Sequence, residues 1–170
     1  NEAYYTVRHG NVWLMVLDSE INVTFLGFST VQGNWIKAEL AKAAADATID
    51  HRFVAVHQGP YASKPGRIGN AAMQGLMETF KTGKVNAVFS GHDHNFERGL
   101  ANNGLTYVIT GGGGAGLYEV GPVGKVLWPQ HEVLANKKDY HYVLVTIRGL
   151  WARFEAKDLN GAVIDAWEYG

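Results

Sequence analysis

The residues best suited to chemistry are histidines that stand where apolar runs end. His57 closes the run Phe53-Val54-Ala55-Val56, and Val85-Asn86-Ala87-Val88-Phe89-Ser90 leads straight into Gly91-His92-Asp93-His94. Short, β-rich apolar runs of this kind are strands covered on both faces, and open α/β sheets bind ligands beyond the carboxyl ends of such strands. The pattern therefore brings three imidazoles to the ends of two strands. Residues two apart in extended backbone share a side, so His92 and His94 are expected to face one spot, with Gly91 permitting a sharp turn before them. Three protein ligands plus water is the open coordination of a catalytic metal site, and neutral imidazole suits zinc, iron, manganese or nickel. One histidine at a strand end is equally well explained as a loop residue bonded to a carbonyl. Its repetition at a second strand end favours metal.

Other features lead less far. The chain has no cysteine, so thiolate ligation is excluded and any metal must use imidazole and oxygen. The run Gly111 to Gly114 lacks the Lys-Ser/Thr of a phosphate loop and reads as backbone room beside the site. His9, His51, His131 and His141 have no convergent partner in the sequence and read as surface or structural residues. Asp18 follows a strand and is an oxygen-ligand candidate on position alone; we do not adopt it.

These residues need a scaffold. With 170 residues, 46% of them apolar, the chain is long enough for one domain with its own core. An almost continuous apolar run predicts a buried strand at 12–17. Apolar positions at helical spacing predict an amphipathic helix at 34–47. A strand follows at 52–57, then turn signals in Gly59-Pro60 and Lys64-Pro65-Gly66. A second helix at 70–81, stopped by Gly83, precedes strands at 85–90 and 105–110. Alternating strands and helices imply a mostly parallel sheet with helices packed against it. Beyond an irregular Gly/Pro-rich stretch, the runs 142–148, 151–156 and 163–167 alternate and turn tightly, which predicts an antiparallel meander. The sheet is expected to be mixed and the fold α/β.

Charge narrows the partners. Fifteen basic residues against sixteen acidic ones, with no basic cluster, give no row of cations for a phosphate backbone, so no nucleic acid is expected. No apolar run approaches the roughly 18 residues that span a bilayer, and the first residues lack the basic and apolar regions of a signal peptide. No membrane partner is expected.

At this point the motifs resemble a family. Ala55-Val56-His57-Gln58-Gly59-Pro60-Tyr61 is similar to the fourth motif of calcineurin-like, purple-acid-phosphatase-like metallophosphoesterases, and Gly91-His92-Asp93-His94-Asn95-Phe96-Glu97-Arg98 to their fifth. Tyr4-Tyr5, Leu17-Asp18-Ser19-Glu20, the Trp35 helix, the Gly-rich stretch after Thr110 and the closing His141-Tyr142-Val143 and Val163-Ile164-Asp165 segments follow in the family's order. The resemblance implies a hydrolase of phosphomonoesters or phosphodiesters with two transition-metal ions, zinc, manganese or iron, whose metal-bound hydroxide attacks phosphorus. It implies His57 and His92 on one metal and His94 on the other, with Asn95, Arg98 and Tyr61 as candidate substrate contacts. For Arg98 a salt bridge to a neighbour, and for Tyr61 simple loop packing, are equally open.

The family's first three motifs would precede Tyr4 and are not in this sequence. The resemblance therefore implies half of a four-layer αββα sandwich, the C-terminal half of the family domain over residues 1–170. Such a chain is either a fragment or a naturally small enzyme. Half a sandwich exposes sheet edges and an apolar face, so either a second copy in a homo-oligomer or the missing N-terminal half is expected to cover it. Two further readings stay open, a mononuclear three-histidine hydrolase of another ester class and an inactive metal-binding or interaction domain.

Overall fold

The computed structural model describes residues 3–20, 23–24, 27–28 and 30–170. Two strands, β1 (Tyr5–His9) and β2 (Val12–Leu17), form a hairpin about Gly10, whose φ of 58° suits the tight turn. A short pair, β3 (Val23–Thr24) and β4 (Gly27–Phe28), leads to helix α1 (Thr30–Ala45). Strand β5 (His51–Val56), helix α2 (Ala71–Thr82) and strand β6 (Ala87–Ser90) follow. Next come β7 (Phe96–Ala101), β8 (Thr106–Thr110), β9 (Gly124–Val126) and β10 (His131–Lys137). The chain closes with β11 (His141–Arg148), β12 (Trp151–Asp158) and β13 (Val163–Tyr169).

Eight strands make one mixed sheet in the order β1-β2-β5-β6-β8-β7-β10-β9, and β11-β12-β13 make a second, antiparallel one. The strands β2, β5, β6 and β8 are mutually parallel and occupy the middle. Their alternation sorts side chains to two cores. Trp13, Met15, Leu17, Val54, Val56 and Val88 pack with Ile36, Leu40 and Ala43 of α1 and Met73, Met77 and Phe80 of α2. Val12, Leu14, Phe53, Ala87 and Phe89, on the opposite side, meet Ala152, Phe154 and Trp167 of the second sheet. The result is three layers, helices on sheet on sheet, and the near-continuous apolar strands read from the sequence are those covered on both faces. His51, wholly buried, ties the second sheet to the first through Tyr169 Oη and the Gly149 carbonyl, both at 2.8 Å.

Several boundaries differ from expectation for local reasons. Helix α1 begins at Thr30 rather than residue 34, because Gln32 lies inward and brackets Asp18, accepting from its N–H and donating to its carbonyl, both at 3.0 Å. It ends before residue 47, where Asp46 turns the chain by accepting from Thr48 N–H at 2.8 Å. Asn70 is the N-cap of α2, not part of it, and its Oδ1 accepts from Met73 N–H at 3.1 Å. At the other end the left-handed residue is Lys84, with φ 60°, while Gly83 has an ordinary φ of −76°. The stretch expected to be irregular contains β9 and β10, and β7 was not legible at all. No helix among the described residues is long and apolar enough to cross a membrane.

Candidate metal centre

His57 is the first residue past β5, and His92 lies two residues past β6. The parallel register sets Val56 beside Ser90, and Gly91 N–H donates to the His57 carbonyl at 3.1 Å, so the two strand ends stand level. At His92 the backbone takes φ 65°, a left-handed conformation that a non-glycine residue adopts at a cost and that concentrates at functional sites. The sharp turn therefore falls on the histidine rather than on Gly91. It brings His92 Nδ1 to 3.3 Å from His57 Nε2, with the rings 5.1 Å apart and nearly perpendicular at 82°. That spacing is long for an N–H···N bond. Two nitrogens bound tetrahedrally at ~2.0–2.1 Å from one ion also stand about 3.3 Å apart, so the pair fits a shared transition metal. Burial, the Arg67 charge and His57 together lower the pKa of His92, which keeps its ring in the neutral, ligating form.

His94 is not brought to this pair. Residues 91–95 are bent, with Asp93 N–H donating to Gly91 O at 2.8 Å and Asn95 N–H to Asp93 O at 2.9 Å, so the two-residue rule for extended chain fails here. His94 Nδ1 faces the Gly116 carbonyl at 2.8 Å and its ring stacks on Tyr118 at 4.4 Å. A carbonyl only accepts, so Nδ1 carries the proton and Nε2 keeps its lone pair, the arrangement that orients a ligating histidine. Among the described residues no group of three or more histidine, aspartate or glutamate side chains gathers around one point. The expected convergence of three imidazoles on one crevice is replaced by a pair and a separate single ring.

Of the three candidate substrate contacts, Tyr61 lines the cleft that His92 also lines, while Asn95 and Arg98 are not among its lining residues. Arg98 forks onto Asp165, Nε at 2.6 Å and Nη2 at 3.1 Å, and lies 5.0 Å over the Trp167 ring. Its salt bridge is thus to the second sheet rather than to a sequence neighbour. Asn95 is fully buried and its Oδ1 accepts from Ser63 Oγ. Tyr61 is buried, stacked on His131 at 4.3 Å and close to Tyr107 at 4.7 Å. Of the three, Asn95 joins the 91–95 turn to the loop at Ser63. His51, His131 and His141 are buried, consistent with structural roles. His141 lies 3.0 Å from Thr110 Oγ1 and from the Asp139 carbonyl. The glycine run does make room: a side chain at Gly111 would sit 2.2 Å from the Asp93 carbonyl, and one at Gly112 would sit 2.4 Å from His141 Nδ1. Asp18 is engaged locally, its Oδ1 accepting from Glu20 N–H at 2.8 Å.

Beside the histidine pair lies a cleft of about 290 Å³, lined by Gln58, Arg67, Asn70, His92 and Asp93 among others. Asp93 is buried, with Oδ2 accepting from Lys64 N–H at 2.9 Å and Oδ1 from Arg67 Nη1 at 2.5 Å. Arg67 and Lys64 also lie 5.3 and 4.3 Å from the centre of the Tyr118 ring on which His94 stacks. Glu20 stands next to the cleft, accepting from Gln58 Nε2 at 2.9 Å. In the sequence Arg67 is embedded in turn residues, and nothing in its spacing marks it as facing His92.

No family model matches this sequence. Solved structures do resemble it. A purple acid phosphatase, PPD1, from yellow lupin (Lupinus luteus) seeds superposes with a TM-score of 0.82 and 21% identity, over 97% of this chain and 32% of that one. GAP50, the anchor in the inner membrane complex of Plasmodium, gives 0.69 and 17%, over 98% of this chain and 53% of that one. PhoD gives 0.63 and 10%, over 98% and 40%. The chain thus spans from about a third to about half the length of these proteins. What it has in common with them is the fold.

Proposed function

We propose that this chain carries one wall of a metal-dependent phosphoesterase site, with His57 and His92 sharing one ion and His94 reaching a second. The observation that carries the reading is the 3.3 Å approach of His57 Nε2 to His92 Nδ1 at the ends of two adjacent parallel strands. The His94 Nδ1 contact to Gly116 supports it, since that contact leaves Nε2 as the donor nitrogen. A cation held between such ligands acts as a Lewis acid on a phosphoryl oxygen and lowers the pKa of water. The chain's own contribution is placement. Asp93 and Tyr118 hold the 91–94 and 64–67 loops against each other, so the imidazoles meet a preformed cleft rather than a mobile loop.

Among the described residues two imidazoles and one separate ring make a sparse ligand set, so the reading has the remaining ligands come from a second surface. We propose that a second copy of the chain, or a preceding half, supplies them and that residues 1–170 act as one domain within that assembly. The test is metal content per chain alongside hydrolysis of a bis-aryl phosphate, for the wild type, His57→Ala, His92→Ala and His94→Ala. Metal near two per chain is expected, falling by about one in each variant, with activity lost by at least a hundredfold. One metal per chain, unaffected by His94→Ala, favours a mononuclear centre; metal uptake without turnover favours a binding domain. A wild type that takes up no metal overturns the proposal.

A further inference from the structure

Among the described residues, Arg67 lines the cleft with most of its donors free. Arg67 spends a single hydrogen bond, Nη1 to Asp93 Oδ1 at 2.5 Å, and a guanidinium has five N–H donors in a planar fork. Among the described residues its Nε and Nη2 make no hydrogen bond. Its side chain is about one-third exposed, at 35%, while that of its partner Asp93 is 3% exposed, so the arginine is anchored from below and open above. Both oxygens of Asp93 are occupied, one by Arg67 and the other by Lys64 N–H and, at 3.4 Å, Ser63 Oγ. Asp93 lines the cleft, but its carboxylate is committed to these loop partners. The Tyr118 ring, 5.3 Å from the guanidinium, fixes it from the side. Arg67 and His92 both line the cleft.

We propose that Arg67 is the residue that selects an anionic ester at this site, its free N–H fork taking two non-bridging oxygens of a phosphoryl group set against the His57–His92 pair. The proposal rests on the phosphoesterase reading and narrows it. Phosphodiesters carry two such oxygens and phosphomonoesters three, with negative charge, whereas a neutral carboxylic ester offers one carbonyl oxygen and no charge. Charge-assisted bidentate bonds of this kind are the strong ones, and an arginine already fixed by Asp93 and Tyr118 loses little freedom in making them. Arg67 is a binding and specificity residue here; it exchanges no proton.

The experiment is calorimetric titration of inorganic phosphate into the wild type, Arg67→Gln and Arg67→Lys, each checked for folding by thermal melt and for metal content. Arg67→Gln is expected to weaken phosphate binding by about ten- to a hundredfold, the loss of charged hydrogen bonds, with metal content unchanged. Arg67→Lys keeps the charge beside Asp93 but loses the fork, and is expected to bind phosphate at least about threefold more weakly than the wild type. If Arg67→Gln fails to fold, Arg67→Lys carries the test. Phosphate affinity within about twofold of the wild type in the folded variants overturns the proposal whatever their melting temperatures, as does a wild type that binds no phosphate. A wild type without metal whose phosphate binding still depends on Arg67 sinks the metal reading and leaves this inference standing.

Discussion

Glu97 is a carboxylic acid with almost no access to water, and its position has a consequence for pH. Its side chain accepts from Tyr107 Oη at 2.9 Å and bonds Asn136, but burial outweighs both and pushes its pKa up to about 7 from an ordinary 4.5. The folded chain therefore holds the Glu97 proton more tightly than the unfolded chain does. The stability this group contributes is complete below pH 4.5 and is lost as pH rises through about 7. The span corresponds to something on the order of 3 kcal/mol. Melting temperatures of the wild type are thus expected to fall more steeply between pH 4.5 and 7 than those of Glu97→Gln. Parallel curves would mean that the carboxyl titrates normally. Glu97 also marks how far single residues can be read. His57 and His92 were legible because a histidine ending a buried strand is a local pattern. Arg67, Asp93 and Glu97 take their environments from partners tens of residues away, and no local spacing records that.

Strand β7 shows the same limit one level up. Phe96-Glu97-Arg98-Gly99-Leu100-Ala101 has a glycine and two charges where an apolar strand is expected, so neither alternation nor an apolar run identifies it. The structure resolves the charges separately, Glu97 toward Tyr107 and Arg98 onto Asp165. Gly99 is needed because a side chain there would sit 2.3 Å from the Glu132 carbonyl of β10 and 2.4 Å from Tyr107 Oη of β8. By contrast β2, β5, α2 and the β11-β12-β13 meander were legible nearly to the residue, since β2 and β5 are apolar runs covered on both faces and α2 and the meander keep an unbroken period. Gly99→Ala is expected to lower stability by about 1–3 kcal/mol through overpacking between two strands. Gly113→Ala, with open space at its Cβ, should stay within about 0.5 kcal/mol. Chemical denaturation of the two variants reads the contrast directly, and equal midpoints would mean that β7 and its neighbours yield to make room.

At the scale of the whole molecule the two sheets are unequal and their edges differ in what they leave open. The large sheet ends at β1 and β9, and the small one at β11 and β13. Val143, Val145 and Ile147 of β11 face the core, so the alternation turns Tyr142 and Leu144 outward, at 49% and 42% exposure, and Val163 of β13 is 54% exposed. Arg153, Glu155, Glu168 and Lys157 form ion pairs on the same sheet, so the apolar side chains lie at its two edges rather than in its middle. Three strands with two open edges are a template for pairing, and the same patch on two copies suits a two-fold assembly. Light scattering of the purified chain is therefore expected to give a dimer or larger at micromolar concentration, and Tyr142→Lys with Leu144→Lys to shift it toward monomer while the melting temperature of the core stays close to that of the wild type. If the assembly supplies missing ligands, metal content should fall together with oligomer mass in that double variant. A monodisperse wild-type monomer would exclude the second copy both as the cover of these edges and as the source of further ligands.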